Sequence, residues 1–325
     1  MATRPAIFID GEAGTIGLRI RELLGGRDDL ALLSIDPAQR KDANARRDLL
    51  RSADVAILCL PDAAAREAVA LLDGADTRVI DGSTAHRVAE GWVFGLPELQ
   101  PEQRAAIAGA RRVANPGCYP TGITLLLRPL IDARALAADA PLSIHALSGY
   151  SGGGRPTIEL WEAPGSDLAT LPFEAPYATE RKHKHIAEVM RHAGLRTEPY
   201  FEPAKGAFRC GMRVQIPLHR DLLAADFDAD TVVECLQARY ADSPFIDVGR
   251  IDGALSENGA ELDPRRCNDT NRVELRVLPH PSGHLLLVAI LDNLGKGASG
   301  AAVQSLNLML GLPEAHGLVQ GLAKA

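Results

Sequence analysis

Between residues 6 and 80, short apolar runs alternate with segments of helical periodicity. Ala6-Ile7-Phe8-Ile9 stops at Asp10-Gly11, and Ile16, Ile20, Leu23 and Leu24 then recur at helical spacing. Residues 30–35, 55–60 and 78–80 read as further strands, with residues 43–51 and 63–72 as the helices between them. Two strands running in the same direction need a crossover between them, and a helix supplies it. This alternation therefore predicts an α/β domain: a parallel sheet with helices on both faces.

After residue 118 the texture changes. Longer strand candidates occupy residues 142–148, 212–218, 272–278 and 284–291, the last two flanking the turn Pro279-His280-Pro281-Ser282-Gly283. They predict a second, α+β domain with a mixed, partly antiparallel sheet. A chain of 325 residues accommodates two such domains. The expected division is 1–117 for the nucleotide-binding domain and 118–294 for the catalytic and substrate-binding domain. Residues 295–325, with an amphipathic helix over 300–310, are expected to return to the first.

Composition narrows the function classes. With 46% hydrophobic and 24% charged residues the chain has the make-up of a globular protein. Its 35 basic and 42 acidic side chains give a formal charge of −7, so no general attraction to nucleic acid or anionic membrane is expected. The five cysteines (Cys59, Cys118, Cys210, Cys235, Cys267) are scattered and contain no Cys-x-x-Cys pair. That pattern predicts neither a disulfide framework nor a metal site, and it suits the reducing cytoplasm. The apolar runs are too short to span a bilayer, and the N-terminus lacks the long apolar stretch of a signal peptide.

Gly11, Gly14 and Gly17 form a G-x-x-G-x-x-G turn between the first strand and the first helix. Glycine there lets the backbone approach a pyrophosphate, whose charge meets the helix N-terminus. A dinucleotide is therefore expected. Beyond the second strand lie Ser34, Asp36, Arg40 and Lys41. An acid in that position suits the ribose 2′-hydroxyl of NAD and a basic group the 2′-phosphate of NADP, so these residues leave both open.

The segment Asn115-Pro116-Gly117-Cys118-Tyr119-Pro120-Thr121 precedes a helical pattern at Ile123, Leu126, Leu127, Leu130 and Ile131. Cys118 is thus expected at a helix start, where unpaired N–H groups and the helix dipole stabilise a thiolate. The other four cysteines read as small buried residues. A nucleophilic thiol also needs a group to take its proton, and histidine has a suitable pKa. His183 and His185 lie in the densest basic cluster, Arg181-Lys182-His183-Lys184-His185. If that cluster is helical, the two point in different directions and at most one faces Cys118. Ser148-Gly149-Tyr150-Ser151-Gly152-Gly153-Gly154-Arg155 follows a strand and is expected to offer N–H donors to an anion or to the cofactor.

Together, the segments around Cys118 and Ser148, with Asp10-Gly11-x-x-Gly14-Thr15-x-Gly17 and Asp292-Asn293-Leu294-Gly295-Lys296-Gly297-Ala298, resemble the shorter form of N-acetyl-gamma-glutamyl-phosphate reductase. These motifs span nearly the whole chain. The resemblance implies a Rossmann domain plus an α+β catalytic domain, as in aspartate-semialdehyde dehydrogenases. It implies NADPH-dependent reduction of N-acetyl-glutamyl 5-phosphate to N-acetyl-glutamate 5-semialdehyde and phosphate, in arginine biosynthesis, by a cytoplasmic homo-oligomer acting on a small-molecule substrate.

Residue by residue, the resemblance makes Cys118 the nucleophile and His185 the proton carrier, with His183 second. The family's His-x-His-x-Pro-Glu pattern has Ala187 here in place of proline. Gly11, Gly14, Thr15, Gly17, Ser34, Arg40, Lys41, Ser151, Gly152, Asn293 and Lys296 are expected to hold the cofactor. Asn115, Ser148, Arg155 and Arg209 are expected to hold the substrate. The competing readings are an aspartate-semialdehyde dehydrogenase, against which Tyr-Pro-Thr after Cys118 tells, a lysine-pathway reductase using an amino-group carrier, and a nucleotide-binding regulator without turnover.

Overall fold

A computed structural model describes residues 4–40 and 42–318. Lys41 lies outside the described residues. The chain folds into two compact units, one formed by residues 4–97, 101–117 and 298–318, the other by residues 98–100 and 118–297.

The first unit is built on six strands: β1 (Ala6–Asp10), β2 (Ala31–Leu33), β3 (Val55–Leu58), β4 (Arg78–Asp81), β5 (Val93–Phe94) and β6 (Arg112–Ala114). They lie in the order β2-β1-β3-β4-β6-β5, and every pairing is parallel. The helices α1 (Thr15–Leu24), α2 (Ala43–Ser52), α3 (Asp62–Leu71) and α4 (Gln103–Gly109) connect them.

The two-residue period of a strand explains why the runs are continuously apolar rather than alternating. Ile7 and Ile9 of β1, with Val55 and Ile57 of β3, enter one core together with Ile20 and Leu24 of α1. Phe8, Ala56 and Leu58 enter the opposite core with Leu50 of α2 and Ala68 of α3. Both faces are therefore covered. Each large side chain so buried contributes about 1.5–3 kcal/mol.

The second unit carries β7 (Ser143–Gly149), β8 (Ala175–Pro176), β9 (Tyr200–Gly206), β10 (Met212–Leu218), β11 (Ile246–Arg250), β12 (Val273–Pro279) and β13 (Leu285–Leu291). Their order is β11-β12-β13-β10-β7-β9-β8. The sheet is mixed: β7 with β9 and β11 with β12 are parallel, and the other pairs are antiparallel. β12 and β13 form a hairpin closed by His280 N–H to His284 O (2.9 Å).

Of the helices α5 (Cys118–Asp132), α6 (Arg155–Trp161), α7 (Ile186–Ala193) and α8 (Ala229–Tyr240), α5 lies deepest. It packs on β10 and β13 and against α7 and α8, and its side chains from Tyr119 to Leu127 are buried. A helix that is apolar on nearly all sides has to be internal. The last helix, α9 (Gly300–Met309), belongs to the first unit, where Ala302, Val303 and Leu306 fill the core against α1. A π-helical turn, Gly295–Ser299, leads into it. No helix among the described residues is long and apolar enough to cross a membrane.

Several elements differ from the expectation. The strand expected over 30–35 is only Ala31–Leu33. β9 and β11 carry no clear alternation, since Pro203 and Gly249 interrupt them. Their pairing is fixed by neighbouring strands rather than by their own pattern.

Candidate active site

In the first unit the glycine-rich turn is tight. Gly11 has φ +88°, and a Cβ there would lie 2.4 Å from the Cys59 carbonyl oxygen. Gly14 N–H donates to Gly11 O (3.0 Å), and Gly14 is the N-cap of α1, with Thr15 its first residue. Having no side chain, Gly14 cannot cap the helix itself, so the first-turn amides are available to an anion. A Cβ at Gly17 would lie 2.5 Å from Gly11 O. These residues fit a dinucleotide phosphate.

Arg40 donates from Nη2 to Glu12 Oε1 (2.9 Å), and Arg21 of α1 donates from Nη1 to Glu12 Oε2 (2.5 Å) and to Ser34 Oγ (3.1 Å). Asp36, the residue that favours a ribose hydroxyl, caps its own turn by accepting from Ala38 N–H (2.9 Å). Asn115 is buried in the same unit as a fastener of the segment leading to Cys118. Its N–H donates to Asp81 O (2.8 Å), its O accepts from Arg87 Nε (3.0 Å), and its Nδ2 donates to Ala298 O (2.9 Å).

In the second unit α5 begins at Cys118. Cys118 therefore opens the first turn, whose amides make no bond within the helix. Gly297 packs directly on it, since a Cβ at Gly297 would lie 2.9 Å from Cys118 Cβ and 3.1 Å from Asp292 O. Burial pushes the thiols of Cys59 and Cys267 up to about 12 and raises those of Cys210 and Cys235 as well. Burial thus disfavours the thiolate in all four.

Tyr119, buried beside Cys118, donates from its hydroxyl to Ala204 O (3.3 Å), while Tyr177 donates to Tyr119 (3.2 Å). Burial first, then the neighbouring Tyr177 and Cys118, hold the Tyr119 phenol well above its usual range. His183 and His185 both pack edge-on against Tyr119, with ring centroids 5.9 Å away in each case and 4.8 Å from each other.

This corrects the helical picture of the cluster. α7 starts only at Ile186, with His185 as its N-cap. The two histidines thus lie on irregular backbone, and the angular argument for a single inward ring does not hold. Their chemistry differs nonetheless. His183 Nδ1 accepts from His185 N–H (3.2 Å), and burial, then the charges of Lys184 and Arg181, push the His183 imidazole down to about 4. His183 is therefore neutral at working pH. His185 is the more buried, at 6% exposure.

In the segment from Ser148 to Arg155, the first amides after the strand have partners within the protein. Gly149, Tyr150 and Ser151 donate their N–H groups to the carbonyls of Gly211, Phe208 and Arg209 (2.8, 3.0 and 3.1 Å). Those donors are engaged in fastening two loops together. Asn293 completes the fastening, donating to Ser151 Oγ (3.0 Å) and accepting from Gly211 N–H (2.8 Å). Ser148 is buried, and Gly152 lies over it, with an added Cβ 3.1 Å from Ser148 Oγ.

Each of the three expected ligand-binding cations has a carboxylate partner. Arg155 pairs with Glu159 (2.7 Å) and Arg209 with Glu162 (2.7 Å), both on exposed faces. Lys296 is wholly buried. Its Nζ donates to Glu98 Oε1 and Oε2 (2.7 and 2.9 Å) and stands 5.6 Å from the Phe245 ring centroid. Burial of an ammonium demands such a partner. No cluster of three or more metal-ligating side chains occurs among the described residues.

Residues 17–107 match the family described as semialdehyde dehydrogenase, NAD binding domain, and residues 118–293 match semialdehyde dehydrogenase, dimerisation domain. The chain is 49% identical to N-acetyl-gamma-glutamyl-phosphate reductase 2 of Pseudomonas putida over 96% of its own length and 99% of the relative's. It belongs to the N-acetyl-gamma-glutamyl-phosphate reductase family.

A further member from Trichormus variabilis is 48% identical over 97% of this chain and 99% of that protein. Among solved structures, aspartate semialdehyde dehydrogenase II from Vibrio cholerae, complexed with ASA, superposes with TM-score 0.71 at 17% identity, covering 95% of this chain and 99% of that one. That likeness shows the fold: a Rossmann-type unit and a mixed-sheet unit, as the sequence predicts.

Some candidate residues of this family member escape sequence reasoning. Glu98 is separated from Lys296 by 198 positions, and no local pattern links them. Tyr177 lies in a segment without periodicity. Glu12 and Arg21 carry a weak signal: an acid inside a phosphate-binding turn needs a cation near it.

Proposed function

We propose that this protein reduces N-acetyl-glutamyl 5-phosphate to N-acetyl-glutamate 5-semialdehyde and inorganic phosphate with NADPH, through a thioester on Cys118. The single observation that carries the chemistry is a cysteine on the first turn of α5 with two histidines packed on the adjoining Tyr119. Near-full-length similarity to proteins of that name supports the choice of substrate. The residues up to 117, with the C-terminal segment, serve the cofactor, and residues 118–294 the chemistry.

In this reading His185 takes the Cys118 thiol proton as the sulfur attacks the acyl carbon. The bond from that carbon to the phosphate oxygen breaks, and phosphate departs with the electron pair and takes a proton from water. Gly11, Gly14, Thr15 and Gly17 would hold the dinucleotide, which when bound supplies a hydride to the thioester carbon. The resulting oxyanion collapses, the carbon–sulfur bond breaks, and the sulfur recovers its electron pair and the proton held on His185. Gly297 keeps Cys118 in place, while Asn293 keeps Ser151 and Gly152 in place.

The match to a dimerisation domain supports a homo-oligomer. The scattered cysteines, none in a disulfide among the described residues, suit the cytoplasm. The test is the reverse reaction: with the semialdehyde, NADP+ reduction should depend strictly on added phosphate. Turnover without phosphate, or cofactor affinity with no turnover, would overturn the proposal.

A further inference from the structure

Glu12 lies inside the glycine-rich turn, where a carboxylate repels any bound phosphate, and its side chain is 11% exposed. Each of its oxygens takes one guanidinium, Arg21 from α1 and Arg40 from beyond β2. Those two side chains are 46% and 41% exposed, and Arg21 also donates to the Ser34 hydroxyl just beyond β2. Two guanidiniums repel one another, so a shared carboxylate is what holds them together. One acid against two cations leaves a net positive charge, with further N–H donors facing solvent.

In a doubly wound sheet the adenosine ribose lies at the end of the second strand, where a nearby arginine accommodates a 2′-phosphate. Asp36, the competing acid, is turned to its own backbone.

We infer that Glu12 is a specificity-determining positioning residue. It ties Arg21 and Arg40 into a preformed clamp for the ribose 2′-phosphate, so discrimination between NADPH and NADH depends on Glu12 and Arg21 as well as on Arg40. The inference rests on the NADPH reading above and adds to it the device that enforces the choice. A planar guanidinium held by two fixed partners loses little freedom on binding phosphate, whereas an untethered arginine must first be ordered.

The experiment measures binding without substrate, by fluorescence titration of NADPH and NADH. Competition by adenosine 2′,5′-bisphosphate against 5′-AMP isolates the 2′ group. Wild type, Arg21→Ala, Arg21→Lys, Arg40→Ala and Glu12→Gln are compared, with melting temperatures to confirm folding. Arg21→Ala should cut the NADPH preference by about tenfold or more and leave NADH affinity unchanged, since bonds to charged groups have that magnitude. Arg21→Lys should recover part of it.

Glu12→Gln separates the clamp from a plain charge effect. Removing a negative charge beside an anionic ligand should strengthen NADPH binding if charge alone matters, whereas loss of the clamp lowers the preference. A wild-type preference that survives Arg21→Ala, or grows in Glu12→Gln, overturns the clamp and leaves the cofactor reading standing. Equal wild-type affinity for the two cofactors overturns that reading, and the clamp with it.

Discussion

Replacing Lys296 by methionine should destabilise the protein through the charge it leaves behind rather than through lost packing. Lys296 and Glu98 are both wholly buried, and the ammonium touches both carboxylate oxygens. Methionine fills nearly the same volume, so the cavity is small. What remains is a buried carboxylate that has lost its ammonium, and breaking a buried pair from one side costs about 3–5 kcal/mol. For a domain of this size each kcal/mol lowers the melting temperature by about 2–4 °C, giving a fall of roughly 6–20 °C. Circular dichroism melts measure it. The double variant Glu98→Gln/Lys296→Met removes both charges and should recover most of the loss, because burying an ion pair is itself costly. A double variant no more stable than Lys296→Met would refute the reasoning and show that packing against Phe245 dominates. Lys296 immediately precedes Gly297, which packs on Cys118, so kcat should fall in parallel with stability in the single variant.

Two further outcomes concern the histidines. His185→Ala should lower kcat by roughly 10²–10⁴-fold and barely affect cofactor binding; near-normal kcat there, beside a large loss in His183→Ala, would transfer the proton to His183. Because His183 is held down at about 4 against an ordinary value of 6.5, the unfolded chain binds its proton first as pH falls. Its neutral burial thus favours the folded state fully above about pH 6.5, and that contribution is lost progressively as pH drops toward 4. Urea unfolding of wild type and His183→Asn across that window should show a weaker acid dependence in the variant; identical slopes would contradict it.

Much of the fold was legible because its signals are local. Strands buried on both faces read as continuous apolar runs, as Val55–Leu58 and Leu285–Leu291 do, and the glycine turn marks the first crossover. The start of α5 at Cys118 was likewise readable, since turn residues and a helical apolar pattern meet there. The site beyond the nucleophile was less so. His183 and His185 look helical in a basic cluster, yet their backbone is set by packing on Tyr119 and by the His185 N–H bond to His183. The partners of Lys296, Arg155 and Arg209 are not legible because a sequence does not show which acid will meet each one. Glu98, Glu159 and Glu162 do so here, only the second of them at a helical spacing. The bonds of the Ser148–Arg155 segment are hidden for the same reason: the amides of Gly149, Tyr150 and Ser151 answer to carbonyls more than fifty residues away.

The central claim is a covalent acyl group on Cys118. Mixing the enzyme with N-acetyl-glutamyl 5-phosphate in the absence of cofactor should release a burst of phosphate stoichiometric with enzyme. Intact and peptide mass spectrometry should then find the acyl adduct on the Cys118 peptide, and adding NADPH should discharge it as aldehyde. Cys118→Ser should show neither burst nor discharge. An enzyme that turns over normally yet forms no adduct, or carries it on another cysteine, would contradict the account.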